Sequence, residues 1–334
     1  MLSPSRLSAP LLLLAPMEGL LDEILRDVLT RNTFFAATGS SAYDWAVTEF
    51  IRVSGSLLPA RCFTRIAPEL HNASRTRSGV KVRVQLLGSD PTCMADNAYR
   101  LAALGPAGID LNFGCPAPTV NRHRGGAVLL DEPELLYQIA REVSAAVGGR
   151  MPFTAKMRLG VQDKLRAVEA AQALAEGGAE MLVVHARTKA EGYKPPAHWP
   201  WIARVAEGVP IPVVANGEIW NLGDYRRCQA ESGMQDVMIG RGAVADPFLA
   251  AHIRNATAGH ESRDLDAEWQ ALQPVLVDFW QAVQRKVEPR HAPGRLKQWL
   301  NLLQRTYPQA GQLFLQVRPL RTIAEVDPLL KTAA

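Results

Sequence analysis

The 334-residue chain reads as an α/β protein: a parallel (β/α)8 (TIM) barrel followed by a smaller all-helical C-terminal domain. Short apolar or β-branched runs recur eight times through roughly the first 245 residues, and helix-patterned stretches separate most of them. After Asp246-Pro247 the pattern changes. No strand-like run follows, and Ala267–Lys286 and Gly294–Thr306 carry apolar residues at three- and four-residue spacing.

The expected strands are Leu11–Met17, Trp45–Phe50, Val82–Leu87, Ile109–Phe113, Phe153–Arg158, Met181–His185, Ile211–Ala215 and Val237–Ile239. Glu134–Val147 and Lys164–Glu176 are clear intervening helices, the second stopped by Gly177-Gly178. Residues 51–80 read as irregular and interrupt the second and third units. A doubly wound open sheet is the structural competitor, but no G-x-G-x-x-G follows the first strand. Residues 255–264 have the composition of a linker, which divides the chain into a barrel at 1–254 and a helical domain at 255–334.

Hydrophobic residues at 47% and charged residues at 21% exclude a disordered chain and a disulfide-stapled miniprotein. The net charge of +4 admits a polyanionic partner without demanding one. Four scattered cysteines with no C-x-x-C pair argue against a disulfide framework and against a zinc site, so no metal is expected and a reducing cytoplasm is the natural location. The apolar run Leu11–Ala15 falls far short of the roughly 20 residues that cross a bilayer, and no cleavage-site pattern follows it. Neither a membrane nor a signal peptide is expected.

In a (β/α)8 barrel the active site forms at the C-terminal ends of the strands. Polar or glycine-containing sequence stands at nearly every one of those ends: Ala15-Pro16-Met17-Glu18-Gly19 after the first, Gln85 in the third, Asn112-Phe113-Gly114-Cys115-Pro116 after the fourth, Lys156 and Arg158 in the fifth, His185 and Arg187 at the sixth, Asn216-Gly217-Glu218 at the seventh and Gly240-Arg241-Gly242 at the eighth. Singly, each has an ordinary structural explanation: a rim lysine, a core histidine, an inert cysteine, a loop glycine. Their joint occurrence at one end of consecutive strands has none. The last two turns occupy the usual phosphate-binding place of this fold.

These segments, with Val84-Gln85-Leu86-Leu87-Gly88, Lys156-Met157-Arg158-Leu159-Gly160 and His185-Ala186-Arg187-Thr188, together resemble the tRNA-dihydrouridine synthases from about residue 11 to 320. Thr48–Val53, Glu69–Thr76 and Arg295-Leu296-Lys297-Gln298-Trp299-Leu300 resemble the bacterial C subgroup. The resemblance implies a barrel that binds FMN, a helical tRNA-binding domain, and NADPH-driven reduction of a uridine in the tRNA D-loop, position 16 in that subgroup. The chain departs from the family pattern at Phe113, at Arg122-His123-Arg124 and in an extra stretch around Thr33–Ser41.

Uracil's C5=C6 bond is conjugated to its C4 carbonyl, so hydride addition at C6 leaves an enolate that needs a proton at C5. A thiol with a pKa near 8.5 stays mostly protonated at pH 7, which makes Cys115 the candidate general acid. Asn112 offers an amide to the base, and Lys156 is suited to stabilise an anionic reduced flavin. By the family motifs Pro16, Met17 and Glu18 lie against the isoalloxazine, Gln85 and Lys156 reach its polar edge, and His185 supports it. Asn216, Gly217, Glu218, Gly240 and Arg241 hold the ribityl-phosphate end, and Tyr193 is a contact for the uridine.

Positive charge is concentrated in two places. Residues 61–83 carry a net +5 and residues 285–305 another +5, against +4 for the whole chain. With tRNA as partner, Arg52, Arg295, Lys297 and Arg318 are the expected tRNA contacts. A monomer is expected. Two other readings compete: an FMN barrel oxidoreductase acting on a free pyrimidine or other small molecule, which needs no basic helical appendage, and a non-catalytic RNA-binding barrel, which would not depend on Cys115.

Overall fold

A computed structural model describes residues 9–31, 41–122 and 124–331. Eight parallel strands close a barrel in chain order: β1 (Leu12–Leu14), β2 (Trp45–Arg52), β3 (Lys81–Leu87), β4 (Ile109–Phe113), β5 (Phe153–Arg158), β6 (Leu182–His185), β7 (Val213–Asn216) and β8 (Val237–Ile239), which pairs with β1. The connecting helices are α1 (Glu23–Leu29), α2 (Ala60–Ile66), α3 (Pro91–Ala102), α4 (Pro118–Asn121), α5 (Pro133–Val147), α6 (Ala167–Glu176), α7 (Trp199–Glu207) and α8 (Leu222–Ser232). After β8 come α9 (Arg241–Ala245) and α10 (Leu249–Thr257), then α11 (Leu265–Lys286), α12 (Ala292–Leu303), α13 (Pro308–Val317) and α14 (Ile323–Lys331). The TIM barrel and the helical C-terminal part are both as expected. Among the described residues, no helix is long and apolar enough to cross a membrane.

Side chains alternate across each strand, so one face meets the helices and the other fills the barrel. The filling is split. Leu13, Ala15, Val47, Val183, Val214 and Met238, from β1, β2 and β6–β8, form an apolar cluster of their own. On β3, β4 and β5 the corresponding positions are Arg83, Gln85, Asp110, Asn112, Thr154 and Lys156. The candidate chemistry stands on that polar half.

Local signals set the element ends. Asp22 caps α1 by accepting from the Leu25 amide, Asp90 caps α3, Asn221 caps α8, and Asp264 caps α11. β1 stops at Leu14, short of the expected Met17, because Pro16 has no N–H to give and the chain turns through Leu20 and Leu21 onto the Met17 carbonyl. The expected linker also shifts. α10 buries Leu249, Ala250, Ala251 and Ile253 and continues to Thr257, so residues 255–257 are helical and the irregular connection is 258–264.

Residues 51–80, irregular by sequence, are ordered. β2 runs on to Arg52, α2 follows, and a 3-10 turn at Pro68–Asn72 leads into β3. Each piece is too short to show a period. What holds them is a buried pair: Arg26 Nε on α1 lies 2.9 Å from Glu69 Oε1, its Nη2 lies 3.2 Å from Oε2, and the remaining donors reach the Leu21 and Ile66 carbonyls. The stretch Thr33–Ser41 falls, apart from Ser41, outside the described residues, as does His123.

The C-terminal helices share the barrel's core. Trp299 is buried edge-on against Phe279, 4.7 Å between centroids, and its Nε1 donates to the Val244 carbonyl. Below it, the Tyr307 hydroxyl bonds Asp246 and Glu268, and Arg263 pairs with both carboxylates at 3.0 and 2.9 Å. His252 joins at 2.7 Å from Glu268. Asp246, His252 and Glu268 converge as metal ligands would, but Arg263 already pairs with both acids.

Cutting the Arg26–Glu69 pair leaves a buried guanidinium without its counter-charge. Glu69→Gln is expected to cost about 3–5 kcal/mol in urea unfolding, whereas the exposed Arg124–Glu132 pair, removed by Glu132→Gln, should cost under about 1 kcal/mol.

Candidate active site

The C-terminal ends of the strands surround one cavity of about 910 Å³. Its lining brings together Pro16, Met17, Glu18, Arg52, Gln85, Asn112, Cys115, Lys156, His185, Tyr193, Asn216, Gly217, Glu218, Gly240 and Arg241, fifteen positions spread over more than 220 residues of sequence. Arg295, Lys297 and Arg318 are not part of the lining.

A relay of hydrogen bonds orders the polar half. Asp110 is buried, and its carboxylate accepts from Thr154 Oγ1 at 2.7 Å and from Gln85 Nε2 at 2.6 Å. Gln85 is thereby turned with its oxygen toward Asn112, whose Nδ2 donates to it at 2.7 Å. Asn112 Oδ1 in turn accepts from the backbone N–H groups of Gly114 and Cys115, each at 2.9 Å. The Asn112 oxygen is therefore committed to the loop, which leaves one Nδ2 hydrogen for a substrate base. Burial pushes Asp110 up to about 6 despite these donors and the nearby cations Arg83 and Lys156.

Arg158 ties two loops together and was legible in the sequence only as a strand-end cation. It is buried, with Nε on the Gly114 carbonyl at 2.8 Å and Nη1 on the carbonyls of Thr188 and Gly192 at 2.9 and 2.7 Å. One guanidinium thus holds both the Cys115 loop and the loop that carries Tyr193. Glu191 fixes the second loop from its other side, accepting from the Thr188 amide, Lys164 and His198.

Cys115 is half-buried. Burial raises its thiol pKa, the Glu18 charge adds to that, and the Ala117 amide with Arg158 and Lys156 pulls the other way. The net rise keeps the thiol protonated at neutral pH. His185 is driven well below its usual range by burial and then by Arg158, Lys156, Arg187 and Arg241, so it is a neutral ring. Lys156 is brought down to about 8, mainly by burial and then by Arg158. Among the described residues its ammonium makes no hydrogen bond or ion pair.

Opposite the polar half, the last two strand ends make close turns. Gly217 has φ +116°, and a Cβ there would lie 2.6 Å from the His185 ring. A Cβ at Gly242 would lie 2.0 Å from the Ile219 carbonyl, so only glycine lets these two turns meet. Glu218, expected at a phosphate, is instead paired with Arg187 and accepts from Trp220 Nε1. A carboxylate has no hydrogen to offer an anion, so its side chain organises Arg187 and Trp220.

Several expected surface cations turn out to be engaged within the molecule. Arg295 pairs with Asp22 at 2.7 Å and donates to the carbonyls of Gly19 and Leu20. Asp22 and those carbonyls hold Arg295 on the barrel rim in the unbound protein. Lys297 donates to the Leu320 carbonyl, and Lys286 pairs with Glu23. Arg83 packs 4.1 Å over the Trp45 ring inside the barrel and adds nothing to surface charge. Arg318 is exposed, as are Arg61 and Arg65 on α2, the latter lining the cavity's entrance with Arg52.

Comparison with known proteins gives this geometry a family. A family model described as dihydrouridine synthase matches residues 13–320. The chain belongs to the dihydrouridine synthase family. It is therefore an enzyme of the flavin-dependent oxidoreductase class. The chain is 59% identical over 317 residues to the tRNA-dihydrouridine(16) synthase of Aquipseudomonas alcaligenes, covering 95% of this chain and 98% of that one. It is 55% identical to the enzyme of the same name from Pseudomonas putida, with 96% of each chain covered. The Shewanella oneidensis protein of that name is 44% identical, over 96% of this chain and 97% of its own. Among solved structures, a 2-naphthoyl-CoA reductase (TM-score 0.53, 11% identity, 74% of this chain and 50% of that one) shares the fold. So does histamine dehydrogenase from Rhizobium (TM-score 0.53, 13% identity, 80% and 48%).

The cavity suits a flavin by its own features: an unpaired ammonium on one wall, glycine turns that exclude a Cβ on the other, and Arg241 beside those turns. Holding Lys156 charged inside the fold costs stability, since its folded pKa of about 8 lies below the ordinary 10.5. The penalty is full below pH 8 and vanishes above 10.5. Lys156→Met should therefore stabilise the cofactor-free protein by on the order of 2 kcal/mol at pH 7 and by nothing near pH 11, while weakening flavin retention. Thermal melts across pH and the flavin content of purified protein check both halves.

Proposed function

We propose that the chain is an FMN-dependent, NADPH-driven tRNA-dihydrouridine synthase that reduces the C5=C6 bond of a D-loop uridine, at position 16, and works as a cytoplasmic monomer. The observation that carries this reading is the convergence on one cavity of a protonated thiol, a fixed amide and an unpaired ammonium, all on the β4–β5 side. The full-length likeness to enzymes named for uridine 16 supports the position.

When bound, FMN would supply the hydride for uracil C6, with NADPH as the electron donor. Lys156 would hold the cofactor's polar edge and favour negative charge there. Pro16, Met17, Glu18 and Gln85 would line the isoalloxazine side, neutral His185 would support it without adding charge, and Arg241 with the turns at Asn216, Gly217, Glu218 and Gly240 would take the ribityl-phosphate. The free Nδ2 hydrogen of Asn112 meets a uracil carbonyl, and Tyr193 closes over the base. Cys115 then delivers a proton from Sγ to C5, which traps the product before the enolate can return its hydride. Because Asn112 also bonds the Cys115 amide, the group that locates the base and the group that protonates it move together.

The base must leave the tRNA fold to enter, so the mouth needs cations for the backbone on either side. Arg52, Arg61 and Arg65 supply them from β2 and α2, and Lys297 and Arg318 from the helical domain, residues 255–334 in outline. Arg295, which also docks that domain on the rim, adds a further cation there.

Purified protein should be yellow and should bleach on anaerobic NADPH addition. Cys115→Ala should keep both properties and lose about 10² to 10⁴ in single-turnover transfer to tRNA. Dihydrouridine is read by mass spectrometry of the D-loop fragment; a wild-type rate in the variant would remove Cys115 from the chemistry, and a protein unable to bind FMN would remove the flavin.

A further inference from the structure

α12 crosses the rim of the barrel from the β1 loop to the β7 loop. Near its start Arg295 grips Gly19, Leu20 and Asp22, and just beyond its end Arg305 reaches the loop after β7. Arg305 lies 3.9 Å over the indole of Trp220, a cavity-lining side chain. Arg241 lies 4.9 Å from the same indole and 4.9 Å from the Tyr193 ring.

Two guanidiniums on one indole form an unusual grouping, because like charges ordinarily alternate with acids. The acid at hand is Glu218, and both its oxygens are taken, one by Trp220 Nε1 and the other by Arg187. Among the described residues Arg305 has no carboxylate partner, and it is exposed. The indole face attracts a cation and fixes its plane, while the N–H groups along the guanidinium edge stay free to donate. Such an edge matches a phosphate, which can accept two parallel bonds. Burial and the nearby Arg187 and Arg305 charges lower Arg241's proton affinity against the pull of Glu218, which an added anion would relieve.

We propose that Arg305, held flat on Trp220, is a phosphate subsite at the cavity mouth that takes a backbone phosphodiester of the polynucleotide beside the entering base. This inference rests on the tRNA reading above. Arg241 lines the cavity and is the inner cation, placed for the cofactor's phosphate. Arg305 is outside the lining, on the helical domain, and meets the cavity wall at Trp220. The phosphates of the nicotinamide donor carry the same chemistry and are the other possible source.

The test uses the FMN-loaded enzyme with Arg305→Ala and Arg305→Lys, each checked by thermal melting. Affinity for unmodified tRNA is titrated across a salt series, and flavin reduction by NADPH is followed by stopped flow without tRNA. Arg305→Ala should weaken tRNA binding about 3- to 10-fold and reduce the slope of log affinity against log salt by somewhat under one unit. Flavin content and half-saturating NADPH should not change. Arg305→Lys should recover the salt slope but only part of the affinity, since an ammonium neither stacks nor donates in parallel. Unchanged affinity and slope in the alanine variant overturn the subsite. A raised NADPH requirement with intact tRNA binding overturns the polynucleotide assignment in favour of the donor, and lost flavin overturns it in favour of the cofactor. Wild-type enzyme that fails to bind tRNA would instead bring down the functional reading itself, and the first titration reports that separately.

Discussion

A single buried carboxylate organises the working half of this barrel. Asp110 sits in the interior on β4 with Thr154 and Gln85 as its donors, and the order passes from it through Gln85 and Asn112 to the backbone of the Cys115 loop. An amide side chain has two ends that differ in hydrogen-bond sense, so one acceptor at the base of the relay decides which way every later amide points. Burying a charge is costly, and burial pushes Asp110 up to about 6 even against the donors and cations around it. A hydrocarbon there would pack well and would leave Gln85 and Asn112 free to turn over.

The rest of the interior explains why this arrangement is affordable to the fold. β1, β2 and β6–β8 fill their share of the barrel with Leu, Val, Ala and Met, giving a buried apolar wall. The polar side leans on that wall and is satisfied link by link. Arg158 extends the same order outward, since its bonds to Gly114, Thr188 and Gly192 join the loops after β4 and β6. Loops in this fold vary freely in conformation. A guanidinium with three carbonyl partners removes that freedom where a proton donor must be placed.

The helical C-terminal part is joined to the barrel along its rim and within its core, by Arg295 on Asp22, Trp299 on Val244 and Tyr307 on Asp246. These contacts mix buried aromatic area with satisfied polar groups. They leave the cavity open between two cationic sides, with Arg52, Arg61 and Arg65 on one and Arg305 on the other.

Much of this was legible in the residue order. Strands show as short apolar runs because both of their faces are buried, and the strand-end rule then gathers thirteen of the fifteen lining residues named above without any coordinates, Arg52 and Tyr193 having come from the family resemblance. The structure adds helix starts at Asp22, Asp90 and Asp264, each set by a cap that acts over three residues. What the sequence alone could not reveal is which charges remain free. Arg295 is answered by an aspartate 273 positions away, Arg83 by a tryptophan on the neighbouring strand, and Glu69 by an arginine on α1 that makes residues 51–80 an ordered unit. Periodicity and capping are properties of the chain within one or two turns, so the sequence carries them by itself. Pairing between distant polar groups depends on the closure of the barrel, and only the tertiary structure decides it.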